Sequence, residues 1–153
     1  MKTFSKILLF LAISSFTLIA CKKNCEDDCV KIKKGIRLTG AQEVPQRETT
    51  AKGTADVSYN KCTKELKYTI SWKDLSGIPT GAHIHGTAPR GMNAGVKHNF
   101  FPLIPKTMSG TFTNSVTVDD VAIKADSLLA GFYYFNFHTP KFPGGEIRGQ
   151  IEF

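Results

Sequence analysis

The sequence of 153 residues lacks the signatures of several enzyme classes. No serine or cysteine lies in a nucleophile elbow or beside the histidine-bearing segments, which argues against a nucleophilic hydrolase. The glycines of "PRGMNAG", Pro89 to Gly95, lack the strand–helix context and the lysine of a P-loop, so a phosphate-binding enzyme fits poorly. The densest positive cluster is "KIKK", Lys31 to Lys34, whose alternation is typical of a solvated strand face rather than of a nucleic-acid site.

Long helices, repeats and low-complexity segments are also missing, and only "DVAIKADSLLAG" near Asp120 offers a helical turn. Short β-branched and aromatic runs, broken by Gly, Pro and Asn, predict an all-β fold instead. The expected architecture is an antiparallel β-sandwich or a Greek-key-like barrel in a single domain. The predicted strands fall within residues 30–45, 51–60, 65–75, 81–88, 106–118, 130–139 and 145–153.

The N-terminus has the pattern of a bacterial lipoprotein signal. Lys2 and Lys6 precede an apolar run from Ile7 to Ala20, which is too short and wrongly flanked for a membrane span. The run ends "LIAC", which resembles a lipobox with cleavage before Cys21 and lipid on its sulfur. The alternative is a plain signal peptide cut near that cysteine. The following lysines carry no acidic retention cue, so the predicted location is the outer membrane of a Gram-negative bacterium.

These boundaries predict a lipoprotein signal peptide at residues 1–20, a lipidated tether at 21–30 and a β domain at 31–153. Removal of the signal leaves 133 residues, enough for one hydrophobic core, and lowers the formal net charge from +7 to +5 because two lysines are lost. The expected partners are the membrane, through the lipid anchor, and an unidentified extracellular or periplasmic ligand or protein. Nucleic acid is not expected.

Four cysteines are present, and lipidation of Cys21 leaves Cys25, Cys29 and Cys62 in an oxidising compartment. Cys29 opens the first predicted strand, and Cys62 lies in the turn after the second. Antiparallel pairing of these strands favours a Cys29–Cys62 disulfide, with Cys25–Cys62 as the alternative. "CEDDC" as a metal site has weak support, because its spacing has no downstream partner pair.

The segment "GAHIHG" carries two histidines one residue apart, so His83 and His85 share one face of a strand. In "FYYFNFHT", Asn136 and His138 likewise share a face. The "PKFPGG" hairpin should place this strand beside "GEIRGQIEF". One face of the pair would then carry Asn136, His138, Glu146, Arg148 and Gln150, and the other face would carry Phe135, Phe137, Ile147 and Ile151.

Two interpretations of His83, His85 and His138 remain open. Three neutral imidazoles with one open position could bind copper or zinc. Alternatively, the histidines form a hydrogen-bonded brace with carbonyls, Asn136 or Glu146, and the pattern alone favours this interpretation. Polar partners of either arrangement are expected to be Asn136, Glu146 and Arg148, and no catalytic residue is assigned. The segment 86–106, rich in Gly and Pro, is predicted to be an irregular loop with His98 exposed to solvent.

Three motifs, "LTGAQEVP", "GAHIHGTAPRGMNAG" and "FNFHTPKFPGGEIRGQI", resemble the chordin-like CHRD domain from about Ile36 to Phe153. The resemblance implies a β-sandwich of secreted or lipid-anchored bacterial proteins, with no established catalytic activity. The chain departs from the family in "HGTA", where "HGPA" is usual, and Thr87 should slightly loosen the exit of the loop. The family's marked positions correspond to Glu43, Pro45, His83, His85, Gly86, Asn136, His138, Thr139, Gly144, Gly145, Glu146, Arg148, Gly149 and Gln150.

A fainter likeness links His83, His85, His138 and Arg148 to copper-zinc superoxide dismutase, which has such residues in the same order. The histidine that bridges the two metals, the histidine-rich zinc loop and its aspartate ligand are missing, so full dismutase activity is not expected. The sequence therefore predicts a lipid-anchored, non-enzymatic binding or structural module of the cell envelope. Its alternative is a copper- or zinc-binding protein with a three-histidine site.

Overall fold

A computed structural model describes residues 29–153 of the chain. The predicted signal peptide and residues 21–28 of the predicted tether, with the lipidation site Cys21 and Cys25, lie outside the described residues. Within residues 29–153, no helix has the length and apolar character needed to cross a membrane.

Eight antiparallel strands form one sheet that curls into a nearly closed barrel, as the all-β prediction requires. The spatial order of the strands is β5-β4-β7-β8-β1-β2-β3-β6. A short helix, α1 (Ala125–Leu129), lies in the segment predicted to hold a helical turn. The strands are β1 (Val30–Thr39), β2 (Lys52–Asn60), β3 (Glu65–Lys73), β4 (Gly81–Gly86), β5 (Val96–Asn99), β6 (Gly110–Thr117), β7 (Tyr133–His138) and β8 (Ile147–Ile151).

The core fills the inside of the barrel, because alternate residues along most of the strands are apolar and point inward. Leu66, Ile84 and Phe135 are fully buried there. Phe100 adds a ring from outside the predicted strands and lies 5.5 Å from the ring of Tyr68 between centroids. Burial of one such side chain stabilises the fold by about 1.5–3 kcal/mol.

The first strand is divided by a bulge at Gly35, which has a positive φ of 67°. The register with β2 shifts between Lys33 and Ile36, where the inward-facing part of β1 begins. Cys29, just before β1, forms a disulfide with Cys62 after β2, and their Cα atoms are 5.6 Å apart. The preferred cysteine pairing is therefore the one that the structure contains.

The prediction of an irregular segment from 86 to 106 was wrong in its second half. Val96–Asn99 forms β5, which pairs with β4, and a 3-10 turn follows at Phe101–Leu103. The breakers Gly95 and Pro102 flank β5 instead of interrupting it, so the strand can form between them. His98 was expected to be exposed, but it lies on β5 opposite Ile84, is half-buried, and has a pKa lowered by that burial.

Candidate functional site

A layer of polar side chains lies on the outer face of β4, β7 and β8, opposite the core. Tyr134, Asn136, Arg148 and Gln150 are nevertheless at most 3% exposed. Two segments, 40–47 and 86–95, cover them. Gln150 Nε2 donates to the carbonyl of Ala88 at 3.0 Å. The two covering segments are joined by a 2.9 Å hydrogen bond from Asn93 Nδ2 to the carbonyl of Val44.

The three histidines predicted from strand alternation converge at one end of this layer. His83 and His85 come from β4, and His138 comes from the end of β7, which pairs with Gly81. One nitrogen from each ring lies within 4.8 Å of the others. His83 Nδ1 and His138 Nε2 are 3.1 Å apart. We call His83, His85 and His138 the three-histidine cluster.

Backbone carbonyls fix the tautomers of two members of the cluster. A carbonyl oxygen only accepts hydrogen bonds, so His85 Nδ1 donates to Ala94 at 2.9 Å and His138 Nδ1 donates to Pro143 at 2.8 Å. In each neutral ring the lone pair is therefore on Nε2. His83 Nδ1 therefore donates a hydrogen bond to His138 Nε2. His85 Nε2, by contrast, is buried and has no hydrogen-bond partner among residues 29–153. An unsatisfied buried acceptor is unfavourable unless something binds it.

The surroundings favour the neutral form of two members of the cluster, His83 and His85. Burial lowers the pKa of His83 to about 4, and the nearby His138 and His85 lower it in the same direction. Burial also lowers the pKa of His85, although its bond to Ala94 acts the other way. Neutral imidazole is the form that binds metal ions.

Tyr134 supports the cluster from the next position on the same face. Its ring stacks on that of His85, with centroids 4.9 Å apart and planes 4° from parallel. Its hydroxyl accepts a 3.0 Å hydrogen bond from the amide of Ala94, whose carbonyl fixes the His85 tautomer. The guanidinium of Arg148 lies 3.5 Å from the centre of the same ring. The alternation that places Asn136 and His138 on this face also includes Tyr134, but no motif identified its contact with His85.

The polar layer also contains a buried carboxylate. Glu43, which is 5% exposed, accepts a 2.6 Å hydrogen bond from Asn136 Nδ2. Burial raises the pKa of Glu43 to about 7, against the opposing effects of Arg148, Arg47 and the Asn136 bond. Only the family pattern had marked Glu43, because strand alternation says nothing about a residue in a covering loop.

Glu146 does not contact the cluster as the predicted polar network required. Its carboxylate accepts hydrogen bonds from Thr49 Oγ1 at 2.6 Å, Thr139 Oγ1 at 2.7 Å and Ser76 Oγ at 2.8 Å. It therefore connects three loops and is saturated by them. Gly145, with a φ of 123°, turns the chain just before this residue, so the alternation of β8 does not extend to it.

The cluster has the dimensions of a metal site. Three imidazoles bound to one ion at about 2.0–2.1 Å would have nitrogens about 3.3–3.6 Å apart. In the cluster, His83 Nδ1 and His138 Nε2 are 3.1 Å apart, and all three ring nitrogens lie within 4.8 Å of one another. Movement of the rings by about an ångström would therefore bring the three nitrogens to metal-binding distances. Three protein nitrogens leave a fourth position open, and imidazole suits copper and zinc.

Comparison with known proteins gives one match. The family model of the CHRD domain matches residues 35–151, a range that includes the three-histidine cluster, Glu43 and all of β2 to β8. A search of curated proteins and a search of solved structures found no match. The comparisons thus support the resemblance to the CHRD domain and give no support to the likeness to superoxide dismutase.

Proposed function

Since the chain belongs to the CHRD domain family, we propose that it is a lipid-anchored protein of the cell envelope that binds a copper ion through His83, His85 and His138. The observation that carries the metal-binding role is the convergence of three ring nitrogens, with the lone pairs of His85 and His138 already set by Ala94 and Pro143. The proposed role is binding rather than catalysis.

The ligand set favours copper over the other divalent metals. The cluster consists of three imidazoles, and no carboxylate or thiolate of residues 29–153 joins it. Affinity for nitrogen ligands rises along the first-row series to a maximum at copper, and zinc is the next candidate. The neighbouring guanidinium of Arg148 acts on His85 as a positive charge, so an anion or water would suit the open position of a divalent ion.

Binding requires one proton to change place. In the neutral cluster His83 Nδ1 donates to His138 Nε2. For both atoms to bind the ion, the proton of His83 must move to its Nε2, while the rings of His85 and His138 keep their tautomers. The carbonyls of Ala94 and Pro143 therefore act as the outer partners that orient metal-binding histidines.

The metal-binding role is tested by copper titration of the protein carrying no histidine tag. We expect saturation near one equivalent and a higher melting temperature, because a ligand that binds only the folded state stabilises it by RT ln(1 + [L]/Kd). Replacement of His83, His85 or His138 by Ala should abolish the stoichiometric binding. The matched control is His98→Ala, which removes a half-buried histidine outside the cluster. Equal copper binding by wild type and the three cluster variants would contradict the proposal.

A second candidate role, a hydrogen-bonded brace, is favoured by the bonds that the cluster makes without metal. His85 holds Ala94 of one loop, and His138 holds Pro143 of another. In this case copper should leave the melting temperature unchanged, while His138→Ala destabilises the fold by about 1–3 kcal/mol through partners left unsatisfied. The copper titration therefore separates the two roles.

The lipid anchor rests on the lipobox and is tested at Cys21. Cys21→Ser should give an unprocessed or soluble product, because no thiol remains for lipid attachment. Cys25→Ser, a cysteine change outside the lipobox, should leave the protein in the outer-membrane detergent fraction. Mature Cys21→Ser protein in that fraction would contradict the anchor and the proposed outer-membrane location.

A further inference from the structure

The first half of β1 is exposed to solvent on both faces. Val30 to Gly35 are all exposed although they lie in a strand, whereas Ile36 and Leu38 beyond the bulge are buried. β1 pairs with β2 along its length, but its register with β8 is Thr39 opposite Arg148. One backbone edge of Val30–Gly35 therefore faces no paired strand in the described part of the chain. We call Val30–Gly35 the β1 edge.

The β1 edge combines cationic and apolar side chains. Lys31, Lys33 and Lys34 are exposed, and Ile32 between them is 61% exposed. Among residues 29–153 the two ion pairs are Lys64–Asp120 and Arg90–Glu152, so these three lysines lack a carboxylate partner there. Three cations without a carboxylate partner on one exposed strand suit an anionic partner.

A cleft opens directly beside this edge. It has a volume of about 300 Å³, and Lys33, Arg37 and Arg90 line it together with Glu152. Glu152 is engaged by Arg90, at 2.8 Å between Nη2 and Oε2. Lys33 and Arg37 therefore contribute two cations that no carboxylate of the described residues neutralises. The cleft is large enough for a phosphate group.

We propose that the β1 edge, with Arg37 and the cleft, docks onto anionic phospholipid headgroups of the membrane that holds the protein. This inference rests on the proposed lipid anchor. Lys31 and Lys34 would contact headgroup phosphates at the surface, and Lys33 and Arg37 would receive one phosphate in the cleft.

The β1 edge directly follows the segment that leads to the proposed lipid anchor, which supports a lipid surface as its partner. The described residues begin at Cys29, which is fixed to Cys62 by the disulfide and directly precedes the β1 edge. Seven residues lie between Cys21 and Cys29, so the chain takes eight Cα-to-Cα steps from one cysteine to the other. A fully extended chain spans at most about 3.3–3.6 Å per residue, so this segment keeps the start of the β1 edge within about 29 Å of the anchor. A cation near an anionic leaflet contributes about a fivefold factor in binding, and tethering raises the effective concentration of the surface.

The test uses the lipidated full-length protein in nanodiscs of phosphatidylcholine, with and without phosphatidylglycerol. Acetylation rates of individual lysines are measured by mass spectrometry. We expect Lys31, Lys33 and Lys34 to react at least fivefold more slowly in the anionic discs, and high salt should restore their rates. Lys97 and Lys124, which are exposed on other elements, serve as internal controls and should react equally in both.

Equal acetylation rates of Lys31, Lys33 and Lys34 in both kinds of disc would overturn the inference. The lysines would then be explained as charges that prevent another strand from pairing with this edge. The same protection produced by inorganic phosphate in phosphatidylcholine discs would also overturn it, in favour of a site for free phosphate. The intact mass of the protein reports the anchor independently. A lipidated protein without protected lysines thus refutes the docking surface alone, whereas a protein without lipid refutes the proposed anchor.

Discussion

Gly81 lies where a single methyl group would disturb the three-histidine cluster. A Cβ at this position would lie 2.9 Å from His83 Cε1 and 3.0 Å from His138 Cδ2. These two carbons are bonded to His83 Nδ1 and His138 Nε2, the nitrogens that face each other at 3.1 Å. Ordinary carbon contacts are about 3.5–4.0 Å, so Gly81→Ala must push both rings back by about 0.5–1 Å. Functional geometry tolerates only about 0.5 Å of displacement.

We therefore expect Gly81→Ala to weaken copper binding at least tenfold, which is about 1.4 kcal/mol. Without metal, overpacking should destabilise the variant by about 1–3 kcal/mol, offset by about 0.4–1 kcal/mol from the less flexible unfolded chain. The control is Gly95→Ala, because a Cβ there meets nothing within 4 Å. Isothermal titration gives the affinity and urea unfolding gives the stability. An unchanged copper Kd in Gly81→Ala would refute the assignment of these nitrogens as ligands.

Three further predictions concern the stability of the fold. Gly145→Ala should destabilise it by about 2–4 kcal/mol in urea unfolding, because its φ is 123° and its Cβ would lie 2.3 Å from Asn136 Nδ2; a loss below about 1 kcal/mol would contradict this packing. Burial raises the pKa of Glu43 from 4.5 to about 7, so its stabilising contribution is present below pH 4.5 and is lost as the pH rises through 7. Glu43→Gln should therefore gain stability relative to wild type over this range, and a pH-independent difference would contradict the raised pKa. Replacement of Cys29 and Cys62 by Ser opens a loop with a sequence separation of 33 and should lower the unfolding free energy by about 3–4 kcal/mol, whereas an unchanged midpoint of thermal unfolding would contradict a stabilising disulfide.

The alternation of residues along strands was sufficient to predict the histidine face. His83 and His85 were placed on one side of β4 by their spacing, and the hairpin between β7 and β8 placed His138 and Arg148 nearby. The pairing of Cys29 with Cys62 also followed from antiparallel neighbours. These predictions succeeded because a strand inside a sheet fixes the direction of each side chain.

The covering loops could not be predicted in the same way. Glu43 meets Asn136 across 93 positions of sequence, and this contact depends on how the segment 40–47 folds over the sheet. Glu146 departed from alternation because it precedes the first residue of β8 and follows the turn at Gly145. The tautomers of His85 and His138 are set by loop carbonyls, and a sequence pattern contains no information about their positions.

The proposed function requires that His83, His85 and His138 bind one copper ion. The most direct measurement is an anomalous difference map from crystals of the protein grown with one equivalent of copper. The proposal predicts a single strong peak about 2.0–2.1 Å from His83 Nδ1, His85 Nε2 and His138 Nε2. A map with no peak between these three nitrogens, while the rings keep the hydrogen bonds seen without metal, would contradict it.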